Sequence, residues 1–360
     1  MATGTQTTDR PPTSLATATD APRVEAAAAA HAAEWDAFVA AHPHATGYHE
    51  WAWRGVFERS FGHGSEYLVA RRGGQIDAVL PLVEVRSWIF GHFLTSLPFV
   101  NYGGVLARSP ESARALVDAA TALSRTRGCR HVELRHVGRQ FESLPVRGHK
   151  VTMHLALATG MWERLDRKVR NQIRKAEKSD LTVEEGGADL LDAFYQVFAR
   201  NMRDLGTPVY ARNFFAQVLA AFPDRARLVV VRRKGDPIAA GLSYHSGTTV
   251  EVPWASSLRE WNSLCPNHLL YWSVIEAAVA RDAQILDFGR STPNAGTYNF
   301  KSQWGAQPVP LHWEYAGLSG DVIPDHGPTN PKFRVAVAVW KRCPLWLANT
   351  VGPRIVRAIP

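Results

Sequence analysis

The sequence predicts a mixed α/β fold made of two copies of one module of about 150 residues. The chain has 360 residues, enough for about two domains. Residues 68–72 align with 229–233 at a shift of 161 positions, which also places Gly74 on Gly235. A strand pattern at 131–137 matches one at 284–290 at a shift of about 154. Two separate blocks therefore repeat at nearly the same offset.

The first module shows its elements in chain order. Residues 34–60 have helical apolar spacing, interrupted at His42-Pro43. Residues 66–85 indicate two strands around a Gly73-Gly74 turn. A helix with a serine N-cap follows over 109–128, and a strand over 129–137.

The second module repeats this order. A strand, a turn at residues 234–236 and a second strand are predicted over 227–246. A helix follows over 267–283, with Asn267 as its N-cap, and then a strand over 284–290. Residues 1–33, rich in Ala, Thr and Pro, are predicted to be a disordered leader, with order beginning near Trp35. The predicted domains are 34–150 and 151–320, with a basic extension at 321–360.

The composition narrows the class of protein. Apolar residues make up 46% and charged residues 21% of the chain, as in ordinary globular proteins. The three cysteines are scattered and show no metal-ligand spacing, so we predict neither a disulfide framework nor a metal site. No apolar run reaches membrane-spanning length, and the N-terminus lacks a secretory pattern. A cytoplasmic protein is the expectation.

Positive charge is concentrated in two segments. Residues 161–178 carry seven Lys/Arg and three Asp/Glu, and residues 331–360 carry six Lys/Arg and no acid, within a chain of net charge +8. Such segments favour phosphate-bearing partners, meaning nucleic acid, a nucleotide-linked substrate or anionic lipid head groups. The alternative is a solvated helix face and a basic tail. DNA binding is not predicted.

The first basic segment is predicted to be one amphipathic helix over 161–179. At 100° per residue, its apolar residues cluster on one face, whereas a cationic stripe with Arg170, Arg174 and Lys178 occupies the other. A solvent-facing helix would usually mix charges of both signs for pairing. We therefore expect these three side chains to bind phosphates.

The densest motif covers residues 287–305. Asp287 closes a predicted strand, and glycine, proline and asparagine residues then force a loop. Phe300 and Lys301 are predicted to lie in an extended segment, pointing to opposite faces. A cation against an aromatic wall would stabilise a phosphate or a developing oxyanion. The alternatives are a surface lysine beside core aromatics, and an aspartate bonded to loop amides.

Several long blocks resemble the FemAB (FemX-like) family, most closely its exosortase/PEP-CTERM-associated branch. These blocks include WDAFVAAHPHATGYHEWAWRGVFERSFGH, FVNYGGVL, KVRNQIRKAEKSDLTV and DFGRSTPNAGTYNFKSQWGAQPVPLHWEY, and the resemblance covers about residues 34–360. It implies two tandem GNAT-like (acyl-CoA N-acyltransferase-like) domains and transfer of amino acids from aminoacyl-tRNA to peptidoglycan precursors. The family's Phe-Lys pair matches Phe300-Lys301, where the lysine is held to meet the tRNA acceptor end.

This resemblance suggests roles for individual residues. Lys301 would stabilise charge without a covalent enzyme intermediate, Arg290 would support it, and Asp287 would orient the acceptor amine or act as base. In the loop at 99–106, Asn101 and Tyr102 would line the cleft, although a structural turn is the alternative. The remaining predicted substrate contacts are Tyr298, Phe300, Trp304, Trp254, Asn267, Arg170, Arg174 and Lys178.

The donor and the acceptor stay open at this point. Residues 256–267 lack the glycine-rich loop that usually cradles the CoA pyrophosphate, which favours aminoacyl-tRNA over acyl-CoA. An acyl-CoA-dependent N-acyltransferase acting on an amino sugar or peptide is one alternative. A non-catalytic scaffold in an exopolysaccharide export system is another. The C-terminal segment 332–360 suits a helix at an anionic membrane or a helix packed over the module interface, broken at Pro344 and Pro353.

Overall fold

A computed structural model describes residues 21–88, 90–318, 323 and 334–359. Within these ranges, the first module contains eight strands and three α-helices before the connection to the second. In chain order they are β1 (Arg23–Ala26), α1 (Ala32–Ala41), α2 (Ala52–Phe61), β2 (Gly64–Ser65), β3 (Leu68–Arg72), β4 (Gln75–Leu80), β5 (Val83–Ser87), β6 (Gly91–Thr95), β7 (Leu106–Ala107), α3 (Pro110–Thr126) and β8 (Val132–Val137).

The second half repeats the pattern of strand, two helices, antiparallel strands, helix and strand. Its elements are β9 (Val146–Ala156), α4 (Met161–Arg164), α5 (Arg167–Glu177), β10 (Leu181–Gly186), α6 (Leu191–Leu205), α7 (Arg212–Ala221), β11 (Ala226–Arg233), β12 (Asp236–Ser246), β13 (Thr249–Ser257), α8 (Pro266–Val279), β14 (Ile285–Ser291), α9 (Gly296–Ser302), β15 (Gln307–Ala316), α10 (Arg334–Trp340) and α11 (Leu345–Val356).

The two halves exchange their last strands. Eleven strands form one sheet in the order β10-β11-β12-β13-β14-β9-β15-β8-β6-β5-β2, and β1-β3-β4-β7 form a second sheet. In the chain, β9 follows β8 as β15 follows β14, yet β9 pairs with β14 and β15 pairs with β8. Each module therefore completes its sheet with a strand from the other.

The internal repeat extends to single hydrogen bonds. Arg71 donates to the carbonyl of Gly74 at 3.1 Å, and Arg232 donates to that of Gly235 at 3.0 Å. Both arginines lie just after a register shift, and both glycines adopt a positive φ of 82° and 90°. The shift of 161 positions found in the sequence thus relates equivalent hairpins.

Four expectations about local structure are wrong. The predicted leader includes β1, which pairs with β3, so order begins before Trp35, whereas residues 1–20 lie outside the described part. The basic helix is interrupted at Leu165, because Asp166 caps a new helix by accepting from the amide of Lys168. Phe300 and Lys301 lie in helix α9 instead of an extended segment. Pro353 lies inside α11 and does not end it.

The predicted boundary between residues 150 and 151 falls within β9. One large apolar core joins the helices of both modules, since Trp53 and Phe57 of α2 share a cluster with Phe214 and Phe215 of α7. Beside this core lies a buried ion pair, in which Arg135 contacts Glu133 at 2.8 Å and both residues are 1% exposed. Glu133 also accepts from the hydroxyl of Tyr315.

Removing the cation of this buried pair should destabilise the fold strongly. Arg135→Ala leaves the carboxylate of Glu133 buried without its charge partner, and we expect a loss of about 3–5 kcal/mol in the free energy of unfolding. Arg232→Ala, which removes a partly exposed ion pair with Glu184, is the matched control and should cost about 1 kcal/mol or less. Urea denaturation measures both, and equal losses would contradict the assignment of a structural role to the buried pair.

Candidate active site

A cleft of about 970 Å³ runs between the two modules. One end lies beside β7 and the start of α3, where His42, Arg108 and Ser109 contribute to its wall. The other end reaches Tyr102, His154 and Glu251. The cleft therefore connects the helix start of the first module to the sheet of the second.

Three polar residues form a row across neighbouring strands at that second end. Asp287 on β14 lies opposite His154 on β9 and opposite Glu251 on β13 in the strand register. The parallel pairing of β13 and β14 ends at Glu251 and Asp287. The row thus marks the point where these two strands diverge and where a ligand can approach the sheet.

Each of the two carboxylate oxygens of Asp287 lies within hydrogen-bond distance of two donor groups. The hydroxyl of Thr152 and the amide of Gly289 donate to Oδ1, the amide at 2.7 Å. The hydroxyl of Tyr102 donates to Oδ2 at 2.6 Å, and Nε2 of His154 lies 3.3 Å from the same oxygen. Burial opposes ionisation, but hydrogen bonds from His154, Thr152 and Tyr102 hold the pKa of Asp287 below its usual value.

The pKa of Glu251, the second carboxyl group of the row, is shifted in the opposite direction. Burial and the charge of Asp287 raise the pKa of Glu251 well above its usual value. Asn101 donates to Glu251 at 2.6 Å, and the hydroxyl of Tyr102 lies 3.3 Å from it. The pKa values of these two adjacent acids are thus shifted in opposite directions, which favours ionisation at Asp287 over ionisation at Glu251.

Asn101 and Tyr102 reach this row from a loop of the first module. The loop follows β6, and in it Leu97 and Phe99 adopt positive φ values of 52° and 70°. The ring of Phe99 stacks on that of Phe61 with centroids 4.0 Å apart, which holds this strained backbone in place. Tyr102 lines the cleft, as predicted, whereas Asn101 is not among the lining residues and donates to Glu251 instead.

Lys301 lies behind the row and is 7% exposed. Its Nζ donates to the carbonyls of Gly289 at 2.9 Å and Arg290 at 3.1 Å. Burial lowers the pKa of Lys301 to about 8, although the charges of Asp287 and Glu251 oppose this effect. The lysine thus fixes the backbone where β14 diverges from β13 and its register with β9 shifts, and it does not line the cleft.

Gly289 is required at this bend. Its φ is +76°, and a Cβ there would lie 3.3 Å from the carbonyl of Val252 and 3.4 Å from the amide nitrogen of Asn101. Arg290 itself is exposed, and its guanidinium lies 5.5 Å from the ring centre of Trp313. The structure therefore places Arg290 outside the cleft wall.

The other predicted substrate contacts divide into core and surface. Trp254 is a core residue, because it packs edge-on against Phe214 and Phe215 with ring centres 5.2 and 5.5 Å away. Trp304 is 3% exposed in the second-module core, with Phe300 and Tyr298 packed against the same cluster. These positions correct the prediction that Trp254 and Trp304 face a substrate.

The start of α8 also differs from the prediction. Cys265 occupies the N-cap position and Pro266 the first turn, so Asn267 is not the cap, and its side chain donates to the hydroxyl of Ser257. The amides of Trp261, Cys265 and His268 already donate to carbonyls of the same segment. Few backbone N–H groups thus remain there to cradle a pyrophosphate.

Helix α5, with Lys178 at its C-cap, packs beside α8, and none of the three predicted phosphate-binding cations lines the cleft. Val169, Ile173 and Ala176 are buried, as the predicted apolar face requires. Arg174 and Lys178 are exposed and Arg170 is half-buried. The guanidinium of Arg174 also stacks over Trp162, 5.2 Å from its ring centre.

Sequence reasoning missed Glu251 and His154. Each is a polar residue within an apolar strand, in the runs VEV and MHL. Alternation places their neighbours in the core and these two side chains on the opposite face. Polar residues on the same face of two such strands were the available signal.

Comparisons with known proteins agree with this architecture. The family described as acetyltransferase (GNAT) domain matches residues 163–302. No curated protein matches the chain by sequence. The crystal structure of FemX superposes with a TM-score of 0.63 at 15% identity, covering 79% of this chain and 95% of FemX.

Two further solved structures show the same arrangement. A tandem GNAT protein from the clavulanic acid biosynthesis pathway gives a TM-score of 0.53 at 12% identity, covering 83% of this chain and 100% of its own. L-PGS from Bacillus licheniformis gives a TM-score of 0.51 at 10% identity, covering 81% and 95%. At these identities the likeness establishes the fold alone, and the predicted mixed α/β fold with two GNAT-like domains is confirmed.

Proposed function

We propose that this protein transfers an acyl or aminoacyl group onto an amine of a cell-envelope precursor, either a peptidoglycan stem peptide or an exopolysaccharide-related acceptor. The observation that carries the proposal is that the imidazole of His154 lies at the end of the cleft and contacts the ionised carboxylate of Asp287. The likeness of the fold to FemX and to the acetyltransferase domain family supports the reaction class.

The proposed reaction needs no covalent intermediate on the enzyme. The acceptor amine attacks the carbonyl carbon of the donor ester, so that a C–N bond forms and the C–O bond breaks. The amine loses a proton, and the leaving alcohol gains one. None of the three cysteines lines the cleft, and direct attack requires only positioned groups and a proton acceptor.

His154 is the proposed proton acceptor. Its Nε2 donates to Asp287, which leaves Nδ1 without a hydrogen in the neutral ring. No other residue in the described part of the chain hydrogen-bonds to this imidazole. Asp287 would orient the ring and stabilise its protonated form, because both of its own oxygens are occupied. It therefore acts as a positioning residue, in place of the substrate-contacting base predicted from sequence.

Lys301 is proposed to act in the same indirect way. The predicted contact with the donor would require a side chain in the cleft, whereas Nζ holds the carbonyls of Gly289 and Arg290. This places the amide of Gly289 against Asp287. The positive charge of Lys301 also favours the ionised carboxylate in a buried setting.

Aminoacyl-tRNA is the proposed donor. The start of α8 offers few free amides for a CoA pyrophosphate, whereas Arg170, Arg174 and Lys178 on neighbouring α5 supply side-chain cations for an RNA backbone. The acyl-CoA alternative draws on the acetyltransferase family matched over 163–302. We further propose a cytoplasmic location with peripheral contact at the inner membrane, and an association with exosortase-linked envelope systems.

Donor binding is the first test of this proposal. We expect the purified protein to bind charged tRNA in preference to deacylated tRNA and to CoA, with affinity that falls as salt rises. Arg174→Gln combined with Lys178→Gln should flatten this salt dependence, and Arg23→Gln combined with Arg125→Gln is the control pair of exposed cations. Binding of CoA with indifference to tRNA would instead favour the acyl-CoA alternative, and binding of neither donor would favour the scaffold.

The role of His154 has its own kinetic signature. His154→Gln should lower turnover by about 10²-fold or more, because the amine loses its proton acceptor. His245→Gln is the control and should leave turnover unchanged, because this half-buried histidine does not line the cleft although its neighbours Tyr244 and Ser246 do. Wild-type turnover in His154→Gln would rule this role out.

Glu251 provides a second check on the same row. Burial and the charge of Asp287 favour the protonated form of Glu251, so the isosteric Glu251→Gln variant should keep most of the turnover.

Substitution of Lys301 should change both the turnover and the pH dependence of the free energy of unfolding. Lys301→Ala should lose orders of magnitude in turnover while the chain stays folded. Its pKa is about 8 in the folded chain against 10.5 normally, so the unfolded chain holds an extra proton between these values. The free energy of unfolding should therefore rise with pH across this window in the wild type and stay flatter in Lys301→Met. Wild-type turnover in the alanine variant would contradict the role of Lys301.

A further inference from the structure

We propose that the outer faces of α10 and α11 form a binding surface for anionic lipid membranes. This inference does not depend on the transfer activity, because it rests on residues far along the chain from the cleft. No helix in the described ranges is long and apolar enough to cross a bilayer. Contact with a membrane would therefore be peripheral.

The first of these helices leaves aliphatic side chains in solvent. Val335 and Val339 lie one turn apart on α10 and are 75% and 65% exposed. The opposite face packs on the protein, since a Cβ at Gly206 would lie 2.6 Å from Val337. The exposed valines thus belong to a helix that is anchored by its other side.

The second helix shows the same division. Ala348, Gly352 and Val356 of α11 are buried at successive four-residue spacings. Trp346 is 69% exposed, and Arg354 is exposed with it on the opposite side of the helix. Tryptophan and arginine together are the side chains favoured at the boundary between lipid head groups and acyl chains.

Charge identifies the kind of partner. Residues 331–360 carry six cations and no acid, which is six of the chain's eight net positive charges. Among the described residues, three of the six exposed large hydrophobic side chains lie in this segment. An anionic bilayer satisfies both features, because its head groups attract the cations and its acyl chains accept the valines and the tryptophan.

Other partners fit less well. A second copy of the chain would bring two strongly positive surfaces together, and like charges at close range are unfavourable. RNA would attract Lys341 and Arg342 but offers no apolar region for Val335 and Val339. We therefore assign the surface to anionic phospholipid.

Vesicle co-sedimentation of the full chain tests this assignment. We expect binding to phosphatidylcholine vesicles that contain about 30% phosphatidylglycerol, and little binding to pure phosphatidylcholine. Lys341→Gln combined with Arg342→Gln should weaken binding by about tenfold or more at low salt, since each cation near such a surface contributes about 1 kcal/mol. Val339→Ser combined with Trp346→Ser should weaken binding at every salt concentration.

Matched controls distinguish binding through this surface from nonspecific adsorption to vesicles. Trp88→Ser removes a tryptophan that is 84% exposed elsewhere, and Arg23→Gln combined with Arg125→Gln removes two exposed cations of the first module. Neither change should alter vesicle binding. Equal binding to neutral and anionic vesicles, no binding, or sedimentation without vesicles through self-association would each overturn the proposal. Transfer activity measured with a soluble acceptor should be the same in all of these variants.

Discussion

The carboxylate of Asp287 is fully buried, and several segments of the chain are positioned by the need to satisfy it. Burial of a charge costs several kcal/mol unless hydrogen bonds replace water. Donors come from β9 through Thr152 and His154, from the first-module loop through Tyr102, and from the adjacent bend through Gly289. Three local features place donors around this one carboxylate: β13 diverges from β14, Gly289 adopts a left-handed φ, and the loop after β6 is strained at Leu97 and Phe99.

This arrangement makes the candidate site a property of the whole chain. The second module supplies Asp287 and Glu251, whereas the first supplies Asn101 and Tyr102. The connecting strand β9 supplies His154. Because the two carboxyl groups lie side by side, the charge of Asp287 adds to burial in raising the pKa of Glu251.

Sequence patterns predicted the parts of the structure that depend on local chemistry. The repeated hairpin could be found because Gly74 and Gly235 meet a turn requirement that few residues meet, and the apolar face of α5 followed from helical spacing. Helix α9 was missed because its seven residues mix glycine and aromatics, and tertiary packing decides its conformation. The proximity of His154 to Glu251 could not be predicted from the sequence. It depends on β9, which carries His154, lying between β14 and β15 in the sheet.

The exchange of strands between the modules also determines the order in which parts of the sheet can form during synthesis. Strand β8 is complete at Val137, but its neighbour β15 begins at Gln307, about 170 residues later. During synthesis the first module would therefore leave the ribosome with an open sheet edge, and pairing across such a long separation is slow. An unpaired edge is a template for association with another chain. The architecture that joins the two halves thus exposes the nascent protein to mispairing until β15, the last of the described strands, has been made.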